Sequence, residues 1–155
     1  MSKLLHPLLQ AVVEVDARAH PRMPWDDYLM ALAVLAAWRS PSPKRQVGAV
    51  LARNDRVLST GYNGYVPGAP HVSVEVDGRE VNTVHAEQNA ITCAARFGIA
   101  LDQATLYVTH YPCLDCAKAI VGSGVRRVVF LHEYKKTAVC EELLSQAGVQ
   151  VTQIT

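Results

Sequence analysis

From Thr105 to the end of the chain, β-branched and helical stretches take turns. "TLYVTH", "RRVVFL" and "VQVTQI" are short runs rich in Val, Thr and Ile, and the segments between them, "LDCAKAIVGSG" and "AVCEELLSQAG", carry apolar residues at helical spacing. Strands separated by helix-length connections place those helices against the faces of a sheet. Upstream, "VGAVLAR" and "RVLSTGYNG" flank Asn54 and Asp55 and read as a hairpin. A hairpin followed by this alternation predicts a three-layer α/β/α domain with a five-stranded mixed sheet flanked by helices on both faces.

The remaining segments fit around that core. "WDDYLMALAVLAAWRS" is nearly apolar through its middle and predicts a buried helix. "VHAEQNAITCAARFG" predicts another, with Thr83 as N-cap and Gly98 as C-cap. Ahead of the break "HPRMP", the stretch "SKLLHPLLQAVVEVDARAH" puts Leu4, Leu5, Leu8, Leu9, Val12 and Val13 on one helical face, with Pro7 admissible in an opening turn. This divides the chain into an amphipathic extension, 1–20, expected to pack on a neighbouring subunit or on its own domain, and a single domain, 21–155. A length of 155 residues suffices for one core and is short for two.

Charge narrows the class of partner. With 15 Lys and Arg against 14 Asp and Glu, the chain offers no large basic surface to follow a nucleic-acid backbone, so a small molecule is the expected partner. No apolar run approaches the roughly 20 residues that cross a bilayer, and the first residues lack a signal peptide's apolar core and cleavage site. A cytoplasmic protein with no membrane partner is expected. In that compartment the 4 cysteines are thiols or metal ligands rather than disulfides. Cys93 and Cys140, in apolar segments, are expected to be inert core thiols.

The chemistry concentrates in "HAE", residues 85–87, and "PCLDC", residues 112–116. His85, Cys113 and Cys116 are three ligands of the kind that tetrahedral zinc takes, and three protein ligands leave one position open, as catalytic sites do. His71, His110 and His132 are candidates for a fourth ligand, which would make a closed structural site instead. Both ligand groups fall where helices begin, and helix N-termini favour thiolate over thiol. Glu87, two residues beyond His85, cannot comfortably bind the same ion but can shuttle a proton from the same turn. Its bland alternative is a solvated carboxylate at a helix start.

The pair "HAE" and "PCLDC" resembles the H-x-E and P-C-x-x-C motifs of zinc-dependent nucleobase deaminases. "QVGAV", "STGYNGY", "TVHAEQNAI" and "ATLYVTHYPCLDCAKAIVGSGVRRVVF" extend the resemblance to the deoxycytidylate (dCMP) deaminase branch over about residues 24–150. The resemblance implies one catalytic zinc on His85, Cys113 and Cys116, and Glu87 as the catalytic acid and base in hydrolysis of dCMP to dUMP and ammonia. It further implies that the Ala86 N–H meets the pyrimidine carbonyl, that Asn63 bonds the sugar or base edge, and that Tyr134 of "HEYKK" stacks on substrate or touches its phosphate. Packing beneath a loop is the alternative for Tyr134. Arg39 and Lys44, flanking the loop before the hairpin, are the phosphate candidates, each with a solvated loop charge as its alternative.

Homo-oligomerisation, as a dimer or hexamer, and regulation by dCTP and dTTP also belong to the branch. The connection "HVSVEVDGREVNTVHAE" departs from it: relatives often carry a Cys/His cluster there and an arginine where this chain has Asn82. A second structural zinc is therefore not expected, and inheritance of phosphate recognition and regulation is weakened. Two rival readings are a deaminase of tRNA adenosine, cytosine or a nucleoside, and a non-catalytic zinc-binding scaffold.

Overall fold

The computed structural model describes residues 6–14 and 21–154. Five strands form the central sheet: β1 (Gly48–Arg53), β2 (Arg56–Tyr62), β7 (Thr105–His110), β8 (Arg127–His132) and β9 (Gln150–Gln153), in the order β2-β1-β7-β8-β9. The hairpin β1–β2 and the pair β1–β7 are antiparallel, while β7–β8 and β8–β9 are parallel. The sheet is therefore mixed, as expected.

Alternate residues of these strands serve opposite layers. Ala49, Leu51, Leu106, Val108, Val128 and Phe130 face a core closed by α3 (Ala86–Arg96), α4 (Leu114–Gly122) and α5 (Ala138–Gln146). Val50, Ala52, Tyr107 and Val129 face the other side, where α2 (Trp25–Ala37) covers them with Leu29, Met30 and Ala33. An ion-pair node pins α2 to the sheet. Arg127 donates to both carboxylate oxygens of Asp26, at 2.8 and 2.6 Å, and the Tyr107 hydroxyl donates to Asp26 Oδ1 at 2.7 Å.

Some boundaries differ from expectation. Thr83 lies in the short strand β6 (Thr83–Val84), and α3 is capped by His85 in an extended conformation. The cap falls two residues later than expected because Thr83 and Val84 pair with β3 (Gly64–Tyr65). Gly98, with φ +66°, stands one residue past the observed C-cap Phe97. The connection from 64 to 82 is also more ordered than its composition suggests. It contains a small hairpin, β4 (Glu75–Val76) with β5 (Arg79–Glu80), turned by Asp77 and Gly78 at φ 50° and 73°. That Asp-Gly pair is a strong hairpin signal that polarity of the surrounding stretch obscures.

Helix α1 (Pro7–Glu14) begins at proline, whose missing N–H costs nothing in a first turn. Its Leu9, Val12 and Val13 are exposed, and Leu4 and Leu5 lie outside the described residues. Cys140 is buried as expected, whereas Cys93 on α3 is only half-buried because that turn of the helix approaches the surface.

Candidate active site

Two helix starts build the site. His85 caps α3 and Cys113 caps α4, both in extended backbone, so their side chains turn aside from the helices they open. Gly61 on β2 makes the first of these placements possible. A Cβ there would stand 2.4 Å from the carbonyl oxygen of Ala86 and 2.5 Å from the nitrogen of Ala90, so only glycine lets α3 press onto the strand.

The imidazole Nδ1 of His85 lies 3.5 Å from Cys113 Sγ and 3.3 Å from Cys116 Sγ. Tetrahedral zinc with ordinary Zn–S and Zn–N bonds sets N and S ligand atoms about 3.6 Å apart. The donor set and its spacing therefore fit that ion. Among the described residues, His71, His110 and His132 do not join the cluster. His71 stacks on Tyr65, and His110 packs against His132.

The three side chains of the cluster shift one another's proton affinities in different directions. Hydrogen bonds from Cys116 and His85 draw the Cys113 thiol down to about 4. The bond to Cys113, together with nearby Glu87, holds the His85 imidazole above its ordinary value despite burial. Cys116 moves the other way, raised by its bond to Cys113 and by burial.

Glu87, in the first turn of α3, is 5% exposed. Burial raises its carboxyl above the ordinary range, against the lowering effects of a backbone N–H and of His85. A carboxyl with raised proton affinity beside a metal-type cluster can accept a proton and give it back.

These groups form the floor of a cavity of about 500 Å³ that also admits Lys44, Asn63, Ala86 and Tyr134. Of the expected site residues, all but Arg39 and the fully buried Cys116 line it. Arg39 is exposed just beyond α2, and the chain turns there into the loop 40–47 that carries Lys44 and Arg45 to the rim instead. Lys44 forms an ion pair with Glu75 of β4. Asn63 holds the loop: its Oδ1 accepts from the Val47 N–H at 2.7 Å, and its Nδ2 donates to the Arg45 carbonyl at 2.8 Å.

Two basic lining residues, Arg45 and Lys135, escaped the sequence reading, and His110, considered there only as a fourth zinc ligand, lines the cavity as well. Arg45 lies with its guanidinium carbon 3.7 Å from the centre of the Tyr134 ring, and the Lys135 ammonium is 5.3 Å from the same ring. His110 meets the Tyr134 ring edge-on at 6.3 Å. Burial, with His132 and Arg45 nearby, lowers the His110 imidazole to about 4, so it is neutral at pH 7. Both basic residues adjoin residues already singled out, in "PKRQ" and "EYKK", and adjacency was the available signal.

Comparison with known proteins identifies the family. The cytidine and deoxycytidylate deaminase zinc-binding region matches residues 23–132. ComE operon protein 2 of Bacillus subtilis is 41% identical over 137 residues, which cover 86% of this chain and 72% of that protein. Deoxycytidylate deaminase of Saccharomyces cerevisiae is 39% identical over 145 residues, covering 86% of this chain but only 46% of the yeast protein. Among solved structures, dCMP deaminase from the cyanophage S-TIM5, in complex with dCMP and dUMP, superposes with a TM-score of 0.77 at 31% identity, covering 87% of this chain and 100% of that one.

Proposed function

This chain belongs to the cytidine and deoxycytidylate deaminase family, and from that premise we propose that it hydrolyses dCMP to dUMP and ammonia. The observation that carries the reading is Glu87, buried beside the His85, Cys113 and Cys116 cluster on the floor of a cavity large enough for a nucleotide. A related cyanophage enzyme whose structure holds dCMP and dUMP supports the choice of substrate.

His85, Cys113 and Cys116 would hold zinc, which when bound supplies the Lewis acidity that makes water nucleophilic near neutral pH. Glu87 takes a proton from the attacking water and passes it to ring N3. A new C4–O bond forms. Glu87 then moves the second proton to the exocyclic nitrogen, the C4–N bond breaks, and ammonia leaves. Ala86 is the first residue of α3, where a backbone N–H has no partner within the helix, and this N–H donates to the pyrimidine carbonyl. Asn63 orders the loop that forms one wall, and Tyr134 forms another.

Residues 21–155 constitute the deaminase domain and residues 1–20 an extension. The exposed Leu9, Val12 and Val13 of α1, with Trp25 and Leu35 of α2 and Trp38 just beyond it, supply an apolar face for homo-oligomerisation. Among the described residues no helix is long and apolar enough to cross a membrane, which fits a nucleotide enzyme of the cytoplasm.

The test is ammonia release by zinc-loaded protein given dCMP, dCTP, deoxycytidine, cytosine or a tRNA anticodon stem-loop, each with and without dCTP and dTTP as effectors. Preferential turnover of dCMP is expected. Turnover of another substrate with dCMP inert would overturn the substrate assignment and leave the deaminase chemistry intact.

A further inference from the structure

The geometry points to Arg45 as the residue that reads the 5′-phosphate, with Tyr134 and Asn63 as positioning residues for its guanidinium; this rests on the dCMP reading above. The cations of the rim divide sharply. Lys44 is held by Glu75, and elsewhere Arg127 is held by Asp26 and Lys136 by Glu133 and Glu141. Arg45 and Lys135 have no carboxylate partner among the described residues, and both lie over the Tyr134 ring.

Apart from Glu87, buried in the floor, the acids lining the same cavity are already engaged. Glu80 accepts from the Ser73 hydroxyl and from the N–H groups of Val74 and Asn82, and Asp115 pairs with Lys118. The rim therefore keeps uncompensated positive charge at one place, around Tyr134. An anionic group of the substrate is the natural counter-charge.

Stacking determines what Arg45 can do with that charge. A guanidinium over a ring contacts it through its face, while its five N–H donors lie in the plane and stay available at the edge. Such a fork meets phosphate oxygens in pairs, a geometry that a lysine ammonium cannot reproduce. The backbone beneath Arg45 is also fixed. Its carbonyl is bonded to Asn63 Nδ2 at 2.8 Å, its N–H to Ser42 Oγ at 3.4 Å, and Val47 to Asn63 Oδ1 at 2.7 Å. An exposed loop arginine is in this way held on two sides, which reduces the side-chain freedom lost on binding an anion.

The experiment compares kcat/KM for dCMP with kcat/KM for deoxycytidine, which lacks only the phosphate, in the zinc-loaded full chain. Variants are R45A, R45Q, which keeps length without charge, R45K and Y134L. Loss of a charge-assisted bidentate contact lowers the dCMP-to-deoxycytidine ratio about 10- to 100-fold in R45A and R45Q, chiefly through KM. R45K recovers only part of that ratio, and Y134L shifts it in the same direction as R45A. A wild-type ratio in both R45A and R45Q, or an equal loss on both substrates, overturns the role of Arg45 while dCMP turnover by the wild type stands. A wild-type protein inert toward dCMP overturns the substrate reading itself.

Discussion

The floor and the rim of the cavity are built on different principles. His85, Glu87, Cys113 and Cys116 occupy the first turns of two helices whose inner faces are seated on the sheet by Ala90, Ala94, Ala117 and Ile120, all fully buried. The rim consists of the loop 40–47, the hairpin β4–β5 and the segment after β8, tied together by an ion pair, a cation over a ring and side-chain bonds to backbone. Positions in the floor inherit the rigidity of the core. Positions in the rim depend on a few replaceable contacts, so the two regions respond to substitution in different ways.

The largest contrast comes from the floor. Glu87→Gln keeps the shape and removes the proton carrier, so kcat falls by at least about 1,000-fold while metal content, read by elemental analysis, stays at the wild-type level. A variant that retained substantial turnover would place the proton shuttle elsewhere. Gly61→Ala damages the same region through packing: the new Cβ collides with backbone at Ala86 and Ala90. A loss of about 1–3 kcal/mol in denaturant unfolding, together with weaker zinc retention, is expected, since α3 must move to make room.

Asp26→Asn tests stability away from the cavity. It removes the ionised acceptor shared by Arg127 and Tyr107 and costs about 1–2 kcal/mol, kept small by the partial exposure of the pair. The Arg127 guanidinium holds the Asp26 carboxyl below its ordinary value. Because the folded value is the lower one, the stabilisation is present above the ordinary carboxylate range and disappears as pH falls through the folded value. Acid titration of unfolding therefore shows a shallower decline in Asp26→Asn than in the wild type, and an unchanged slope would exclude the pair as its source. The smallest effect belongs to the rim. Glu75→Gln breaks an exposed ion pair with Lys44 and changes the melting free energy by less than about 1 kcal/mol, so any change appears first in KM and its salt dependence.

The same division governs how much could be read in advance. The five-stranded mixed sheet follows from periodicities of two and 3.6 residues, which long-range contacts reinforce rather than override. The ligands of the floor were legible because metal chemistry restricts them to few residue types at short spacing. Arg45 was not, since nothing local distinguishes it from Lys44. The two differ only in what faces them across the fold, Tyr134 for one and Glu75 for the other. Arg39 was misplaced for a related reason: the bend after α2 turns the loop 40–47 toward the rim and leaves Arg39 behind.

His85 and Cys113 are separated by 28 positions along the chain yet stand 3.5 Å apart, with strand β7 running between them in sequence. A ligand shared by both acts as a clasp across that span. Fraying of the first turn of α3 then requires release of the first turn of α4, and two local openings that are otherwise independent become one cooperative event. On metal loading, the amide protons of these two turns slow in hydrogen exchange together, while those of α2, on the far side of the sheet, keep their rates.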